Sequence, residues 1–510
     1  MGVNFRDRGD VWFVALVFAL GWFFSFNLAT LAAHTPPGFV FWSDQDRYLQ
    51  SARAFARGDL HPDQHWYPLL FPLLLAPFAG LPPLYEALIP DFACYVLAYL
   101  GFRRFARGFG LGPVGAVVLF VPTTIAWPHT GDSWIQPWTT TPSAALIWGA
   151  LALAADVLRD TPRATRTGRM IACGAMLGLI PVSRPGDIVI SGIIGLFMLI
   201  ALVRRGTWRS LVPLVGAALV PLVVAAVLHL AIYGAVPSDY MRLSATYGEQ
   251  FGRIGWKAYV LLIEPRPWYP EGRGLFAVLP WVPFGLCGIV HAALVRRDRM
   301  VAAMTALALL AYCTMALCYM DLVPSGLWRF GNVHYFKWVL PAIGLFGWIA
   351  LRDARRRPRL TLALVAAMLA LTSLRIAPVR ASVDEPARLV VFAGPMAAYA
   401  DIYNAHSTLS DRAGVLRNSF DFHLVPMADP AGRVVGVAQR RDFAGDERWM
   451  NPGDLALWPH LTTTHYTDTA LPGRFPVMAI ARYRPAVGFG LPCWLPPYAC
   501  PTHMPDLKAH

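Results

Sequence analysis

The residues with the clearest chemical potential lie close together near position 44. Asp44, Asp46 and Arg47 follow Ser43 directly along the chain. Ser43 and Asp46 have the spacing of a capping box, which predicts a helix that begins near Asp44. An ionised acid at this position can take a proton from a hydroxyl group or hold a metal ion. Two readings stay open: Asp44 does chemistry, or both acids only stabilise the helix N-terminus.

The helix that positions these residues is predicted to be amphipathic. Leu49, Ala52 and Phe55 fall on one face at helical spacing, and Gly58 ends the helix. Such a helix is expected to lie on the membrane surface, with Asp44 at the edge of the bilayer.

Composition indicates a membrane protein. Hydrophobic residues make up 56% of the 510 residues and charged residues only 15%, whereas soluble domains are about 25% charged. The mean hydropathy is +0.45. The net charge of +13 comes from arginines in short clusters between apolar runs. That placement follows the positive-inside rule and excludes a nucleic-acid partner.

Apolar runs with the length and composition of membrane-spanning segments predict about eleven transmembrane helices. They occupy residues 11–33, 84–105, 113–128, 138–157, 170–183, 187–203, 210–232, 276–295, 300–320, 335–351 and 360–376. With a cytoplasmic N-terminus, alternate threading puts five arginine-rich loops in the cytoplasm. These loops lie near 103–107, 159–169, 204–209, 296–299 and 352–359.

The predicted fold is therefore an all-α polytopic membrane protein with a small extracytoplasmic domain at its C-terminus. Residues 1–379 form the transmembrane domain, and its first outer loop is 34–66. Residues 380–510 contain short β-like runs separated by Pro, Gly and Asp, which predicts an α+β domain. Cys493 and Cys500 either pair in an oxidising compartment or remain free thiols.

Further candidate residues lie at other outer loops. Arg184 follows the short run 170–183, so it is expected below the outer surface. It either meets a donor phosphate, pairs with Asp187 or extends its side chain to the membrane surface. Arg266 and Arg273 stand beside aromatic residues, a combination that suits a phosphate-and-sugar site or an interfacial aromatic belt.

Two weaker candidates remain. Asp132 follows the third span and could contact an acceptor, or be a plain loop residue. Possible metal ligands stand at alternate positions in His61, Asp63 and His65. A divalent metal cofactor is therefore an open alternative, but no residue is assigned as a metal ligand.

Four strings in order resemble the GT-C glycosyltransferases, a superfamily that includes the lipid A aminoarabinose transferase and the protein O-mannosyltransferases. The first is DQDRYLQSAR from Asp44, followed by YPLLFPLLL from Tyr67. The others are GLIPVSRP from Gly178, GRGLFAVLPW from Gly272 and GNVHY from Gly331. Together they extend over most of residues 10–376.

The resemblance implies an inverting transfer of a sugar from a polyprenyl-phosphate donor to a lipid, glycan or protein acceptor. The family's first-loop acid falls on Asp44, with Asp46, Arg47 and Tyr48 in the same motif. The chain departs from the family at two points. Gln45 replaces the usual second acid of the first loop, and His334 with Tyr335 replaces the usual Arg-Tyr.

The resulting expectation is a transferase of the cytoplasmic membrane that works on the periplasmic face, among membrane lipids. Asp44 is the expected catalytic residue, either as a general base or as a metal ligand. His334, Tyr335 and Arg184 are expected to contact substrate. The alternative is a transporter or flippase for a lipid-linked sugar, which should concentrate ionisable residues near the middle of the membrane.

Overall fold

The structure is a computed structural model. It describes part of the chain. It comprises residues 9–25, 43–82, 85–161, 164–241, 254–263, 273–295, 298–318, 327, 329–355, the single positions 359, 363, 366 and 370, and the strand segments 387–395, 422–428, 433–440, 462–464 and 477–483.

The described chain is mainly helical. The helices are α1 Gly9–Phe23, α2 Ser43–Ala56, α3 Leu70–Leu75, α4 Tyr85–Arg107, α5 Pro113–Thr124, α6 Pro128–Ile135, α7 Thr140–Leu158, α8 Thr167–Ser183, α9 Ile188–Arg204, α10 Leu211–Tyr233, α11 Ile254–Leu262, α12 Leu275–Val278, α13 Val282–Val295, α14 Arg299–Cys318 and α15 Val339–Ala354. Short 3₁₀ turns occupy Pro62–Gln64, Ala76–Phe78, Pro185–Asp187, Trp208–Ser210 and Arg329–Phe336.

Ten of the eleven predicted spans coincide with a helix in the described residues, while the eleventh run, 360–376, lies almost wholly outside them. Four helical segments are long and apolar enough to cross a membrane: Thr140–Leu158, Pro185–Arg204, Trp208–Tyr233 and Arg299–Cys318. The number of spans therefore stays a prediction. The run 276–295 is interrupted, because α13 begins only at Val282, after Pro280.

Close helix packing depends on small residues, as is common in membrane bundles. Gly174 and Gly178 lie one turn apart on α8 and face α10. A methyl group at Gly174 would lie 2.0 Å from the carbonyl oxygen of Leu214, and one at Gly178 would lie 2.2 Å from that of Ala218. Only glycine therefore permits this approach of the two backbones.

The arginine-rich helix ends are joined by ion pairs. Arg103, near the end of α4, lies 2.9 Å from Asp10 at the start of α1. Arg104 contacts Asp156 near the end of α7 at 2.5 Å. Arg159, just beyond α7, lies 3.4 Å from Asp298, immediately before α14. Several of the loops predicted to be cytoplasmic therefore meet at one common end of the bundle.

Five strands follow the helices. They are β1 Ala387–Pro395, β2 Phe422–Ala428, β3 Arg433–Arg440, β4 Thr462–Thr464 and β5 Val477–Tyr483. They form one antiparallel sheet in the order β2-β3-β1-β5-β4. β1, β3 and β5 cover the three runs that the sequence predicts as β-like, whereas the predicted helical part of the C-terminal domain lies outside the described residues.

The chain divides into two compact units. The first comprises Met1–Gly248, Trp281–Ala316 and Gly331–Met368, and the second comprises Glu249–Pro280, Leu317–Phe330 and Leu369–His510. The first unit contains α1 to α10, α13 to α15 and most of the candidate residues.

Candidate functional site

Helix α2, which carries Asp44, is anchored to its neighbours by polar contacts near its C-terminus. Arg53 forms a forked ion pair with Glu86 at the start of α4, at 2.8 and 3.1 Å. Glu86 is only 1% exposed. Ser51 and the ring Nδ1 of His65 share a hydrogen bond of 2.8 Å. These contacts fix the helix against the first unit.

The apolar face of α2 packs against protein. Tyr48, Leu49 and Ala52 are buried in one cluster with Phe71 and Leu75 of the following segment. The expectation that this face lies on the membrane surface is wrong for these residues. Helix α3 covers these residues. The apolar, proline-interrupted sequence of α3 did not predict this contact.

The Asp44 carboxylate receives a hydrogen bond from a tyrosine 23 residues away. The phenol of Tyr67 donates to Oδ1 of Asp44 at 2.7 Å. Burial and the adjacent carboxylate raise the pKa of Tyr67 far above its ordinary value, so the phenol stays protonated and donates. Asp44 is partly buried. This acid therefore has a specific donor from another segment in addition to its position at a helix N-terminus.

Tyr48 links the two charged candidates of the site. Its side chain is 3% exposed, and its ring packs edge-on against Tyr67 with the centroids 4.8 Å apart. Burial and the nearby Asp44 carboxylate raise the pKa of Tyr48, while a hydrogen bond with Thr139 and the charge of Arg184 act in the opposite direction. Both Asp44 and Arg184 therefore lie within electrostatic reach of one phenol.

Arg184 lies in the break between α8 and α9, as the sequence predicts. Its guanidinium carbon is 4.7 Å from the ring centroid of Tyr335, and its Nη1 donates to the hydroxyl of Tyr312 at 3.4 Å. That hydroxyl in turn donates to the backbone carbonyl of Tyr335 at 2.6 Å. Asp187 also acts electrostatically on Arg184. The guanidinium is thus oriented by two aromatic residues near one acid.

His334 is buried behind Arg184. Its ring stacks on that of Trp138 with the centroids 3.9 Å apart and an angle of 9° between the planes. Its Nδ1 shares a hydrogen bond of 3.2 Å with the hydroxyl of Thr140. Burial, together with the charge of Arg184, lowers the pKa of His334, so the ring stays neutral. This geometry gives His334 a supporting place in the site.

The start of α7 connects these groups, and its role was not predicted from the sequence. The side chain of Thr139 forms a hydrogen bond with Tyr48. The backbone carbonyl of Thr139 accepts a hydrogen bond from the hydroxyl of Ser183 at 3.0 Å. Thr140 contacts His334. Ser143 donates to the buried carboxylate of Asp187. A run of hydroxyl residues at a span boundary was the only signal, and such runs are common at helix starts.

The remaining predicted residues are less closely associated with this cluster. Asp46 and Arg47 are exposed on α2, and Arg47 donates to Gln50 at 3.1 Å. Asp132 is exposed on α6. Arg273 belongs to the second unit. Arg266 lies outside the described residues.

The alternating metal ligands of the first loop do not come together. His65 is buried between Ser51 and the carbonyl of Asp59, which its Nε2 contacts at 2.9 Å. His61 lies 3.5 Å from Asp63, and both side chains are largely exposed. Within the described residues, no group of three or more His, Cys, Asp or Glu side chains is arranged to hold a metal ion.

Comparisons with known proteins give one weak match. No protein family matches the sequence, and no curated protein does. Among solved structures, the chain is similar to ArnT from Cupriavidus metallidurans in its crystal structure bound to undecaprenyl phosphate, with 20% sequence identity and a TM-score of 0.45. The match covers 72% of this chain and 65% of that chain. A match at this identity and TM-score shows neither the family nor the activity of this chain.

Proposed function

We propose that the chain is an inverting glycosyltransferase. It moves a sugar from a polyprenyl-phosphate donor to a lipid, glycan or protein acceptor on the outer face of the cytoplasmic membrane. One arrangement carries the proposal: the ring of Tyr48 packs against Tyr67, which donates a hydrogen bond to Asp44, and Tyr48 also lies within electrostatic range of Arg184. A proton acceptor and a phosphate-binding cation therefore share one region, as transfer from a phosphate to a hydroxyl requires.

In the proposed reaction, Asp44 removes the proton of the acceptor hydroxyl, and the acceptor oxygen attacks the anomeric carbon of the sugar. The new C–O bond forms on one face of the sugar while the bond to the phosphate oxygen breaks on the other, so the anomeric configuration inverts. The polyprenyl phosphate leaves with the bonding electron pair. Arg184 stabilises the charge that develops on it, and Tyr67 orients Asp44 through its hydrogen bond.

The arrangement of the helix ends agrees with this proposal. The paired arginines lie at the ends of α4 and α7, and their acidic partners lie at the start of α1, near the end of α7 and just before α14. Asp44, Arg184 and the start of α7 belong to the opposite helix ends. With the arginine ends in the cytoplasm, the site faces the periplasm, and so does the proposed extracytoplasmic domain of residues 380–510. The four strings that resemble GT-C enzymes support the same reading.

The transporter alternative gains one observation. Asp91 in α4 is 0% exposed and Lys337, just before α15, is 2% exposed. Ionisable residues inside a helix bundle are typical of transport pathways. Detergent micelles distinguish the two functions, because they enclose no separate compartments between which a substrate could be transported. A transferase still moves sugar from donor to acceptor there, and a transporter does not.

The experiment that tests the proposal is mass spectrometry of the cell envelope from a deletion strain carrying wild-type protein, Asp44→Asn or Asp63→Asn. Asp63 is an exposed acid of the same loop, so its amide variant is the matched control. We expect the wild type and Asp63→Asn to restore one sugar mass that the deletion lacks, and Asp44→Asn not to restore it. Full restoration by Asp44→Asn at an equal membrane level would contradict the proposal.

A further inference from the structure

The buried acid Asp91 and the buried lysine Lys337 lie near the start of α7 and take no part in the proposed reaction. Lys337 donates from Nζ to the hydroxyl of Thr141 at 2.5 Å, and it lies 5.4 Å from the ring centroid of Trp134. Asp91 and Lys337 interact electrostatically. Neither carboxylate oxygen of Asp91 has a hydrogen-bond partner among the described residues.

Stability alone does not account for this pair. Burying an acid and an amine away from water costs several kcal/mol for each group that stays charged, and well-packed apolar residues often stabilise such a site equally well or better. The cost is only partly offset here, because the Asp91 oxygens accept no hydrogen bond from a described residue. A buried pair with this penalty inside a membrane bundle calls for a functional reason.

The contacts of Lys337 supply that reason. Thr141 directly follows Thr139 and Thr140, which hold Tyr48 and His334. Thr140 to His334 and Thr141 to Lys337 are consecutive contacts between the start of α7 and the segment before α15. Two contacts in series fix how these segments align, whereas a single contact leaves the alignment free to shift.

We propose that Lys337 and Asp91 are a positioning pair for the candidate site. Lys337 holds the start of α7 through Thr141, and Asp91 offsets the charge of the buried ammonium group. The start of α7 then keeps Tyr48 and His334 in place beside Asp44 and Arg184. The inference rests on the proposed transferase function for its effect on turnover. Neither residue is a catalytic residue, because Lys337 acts through Thr141 and Asp91 acts through Lys337.

The test compares Lys337→Met, Asp91→Asn and the double variant Asp91→Leu with Lys337→Met. In Asp91→Asn the ammonium group loses its counter-ion, so we expect the melting temperature to fall by roughly 5 °C or more. The double variant contains no unpaired buried charge and should melt near the wild type, whereas Lys337→Met leaves Asp91 without its partner and should melt at a lower temperature than the wild type. We expect both to lower kcat about 10- to 100-fold, with a smaller change in KM, because the site is misplaced and not unfolded.

A second readout does not depend on activity. The ¹⁵N-histidine NMR signal of His334, assigned by its loss in His334→Gln, should shift in Lys337→Met because the Thr140 contact is displaced. The matched control is His291→Gln with Asp353→Asn, a hydrogen-bonded pair of the same unit in which His291 Nε2 lies 3.2 Å from Asp353 Oδ2. This control should leave both kcat and the His334 signal unchanged.

The outcomes separate the two proposals. A double variant with wild-type kcat and an unshifted His334 signal would overturn the positioning role, and Lys337→Met decides the same point if the double variant does not fold. If the wild-type protein transfers no sugar at all, the transferase proposal fails. The His334 signal then still decides whether Lys337 positions the start of α7.

Discussion

Tyr67 donates its phenolic hydrogen to the carboxylate of Asp44 across 2.7 Å, from a segment 23 residues further along the chain. A carboxylate that only stabilises a helix start needs no donor from another segment. The Tyr67 ring also contacts Tyr48 and Tyr240, with centroids 4.8 and 5.2 Å away. The acid is therefore held by an aromatic group that is itself fixed on two sides.

Tyr67→Phe tests this hydrogen bond while keeping the ring contacts. Hydrogen bonds to charged groups contribute about 1.5–3 kcal/mol, so transfer should slow about 10- to 100-fold. The melting temperature should stay close to that of the wild type. Since the pKa of Tyr67 is raised far above its ordinary value, the loss should be the same at every pH from about 6 to 9. Wild-type transfer kinetics in Tyr67→Phe would show that Tyr67 does not orient Asp44 for the reaction.

Arg184→Lys tests whether a planar guanidinium is needed. Lysine keeps the charge but loses the forked geometry and the stacking on Tyr335. We expect KM for the polyprenyl-phosphate donor to rise about tenfold, which corresponds to about 1.4 kcal/mol of binding. Arg209→Lys is the matched control, because Arg209 lies 5.9 Å from the Trp208 ring at the arginine-rich helix ends. Equal donor KM in both variants would exclude Arg184 from phosphate binding.

The Arg53–Glu86 pair should matter for stability as well as for activity. Arg53→Met leaves Glu86 buried without its forked partner, and we expect a loss of about 1–3 kcal/mol in the free energy of unfolding. The double variant Arg53→Met with Glu86→Leu should recover most of that loss, because no unpaired charge remains. Thermal unfolding of the purified variants measures both. Failure of the double variant to recover would show that the pair does more than anchor α2.

His65 predicts a dependence of stability on pH. Burial lowers the pKa of His65 in the folded protein, while an unfolded histidine has a pKa of about 6.5. Below that value the unfolded chain binds more protons than the folded chain, so stability should fall as the pH drops and be complete above it. Melting temperatures at about pH 8 and pH 5.5 should differ less in His65→Gln than in the wild type. An equal difference in both proteins would assign the acid sensitivity to other groups.

Much of the helical frame could be predicted from the sequence, because lipid-facing segments must be long and apolar. The starts of α2 and α5 and the break at Arg184 follow from capping, proline and run length. The helix that begins at Val282 was placed too early, since the residues before Pro280 are equally apolar. Hydropathy does not show where a proline divides such a run.

The candidate site was only partly predictable, because its contacts join distant segments. Asp44 and Arg184 were singled out by residue type and position. The tyrosine that bonds Asp44, and the threonines that hold Tyr48 and His334, were not, since local patterns do not show which segments meet. Lys337 was not singled out for a related reason. It lies inside an apolar run, where a single charged residue counts as an exception to the apolar pattern.

In the proposed reaction, Asp44 acts as the proton acceptor in sugar transfer. The most direct measurement is the transfer rate of purified Asp44→Asn in detergent micelles, beside Asp63→Asn and wild-type protein, with polyprenyl-phosphate sugar as donor. Loss of a general base should slow transfer by at least about 100-fold, while Asp63→Asn keeps the wild-type rate. A folded Asp44→Asn protein that transfers sugar at the wild-type rate would contradict the account.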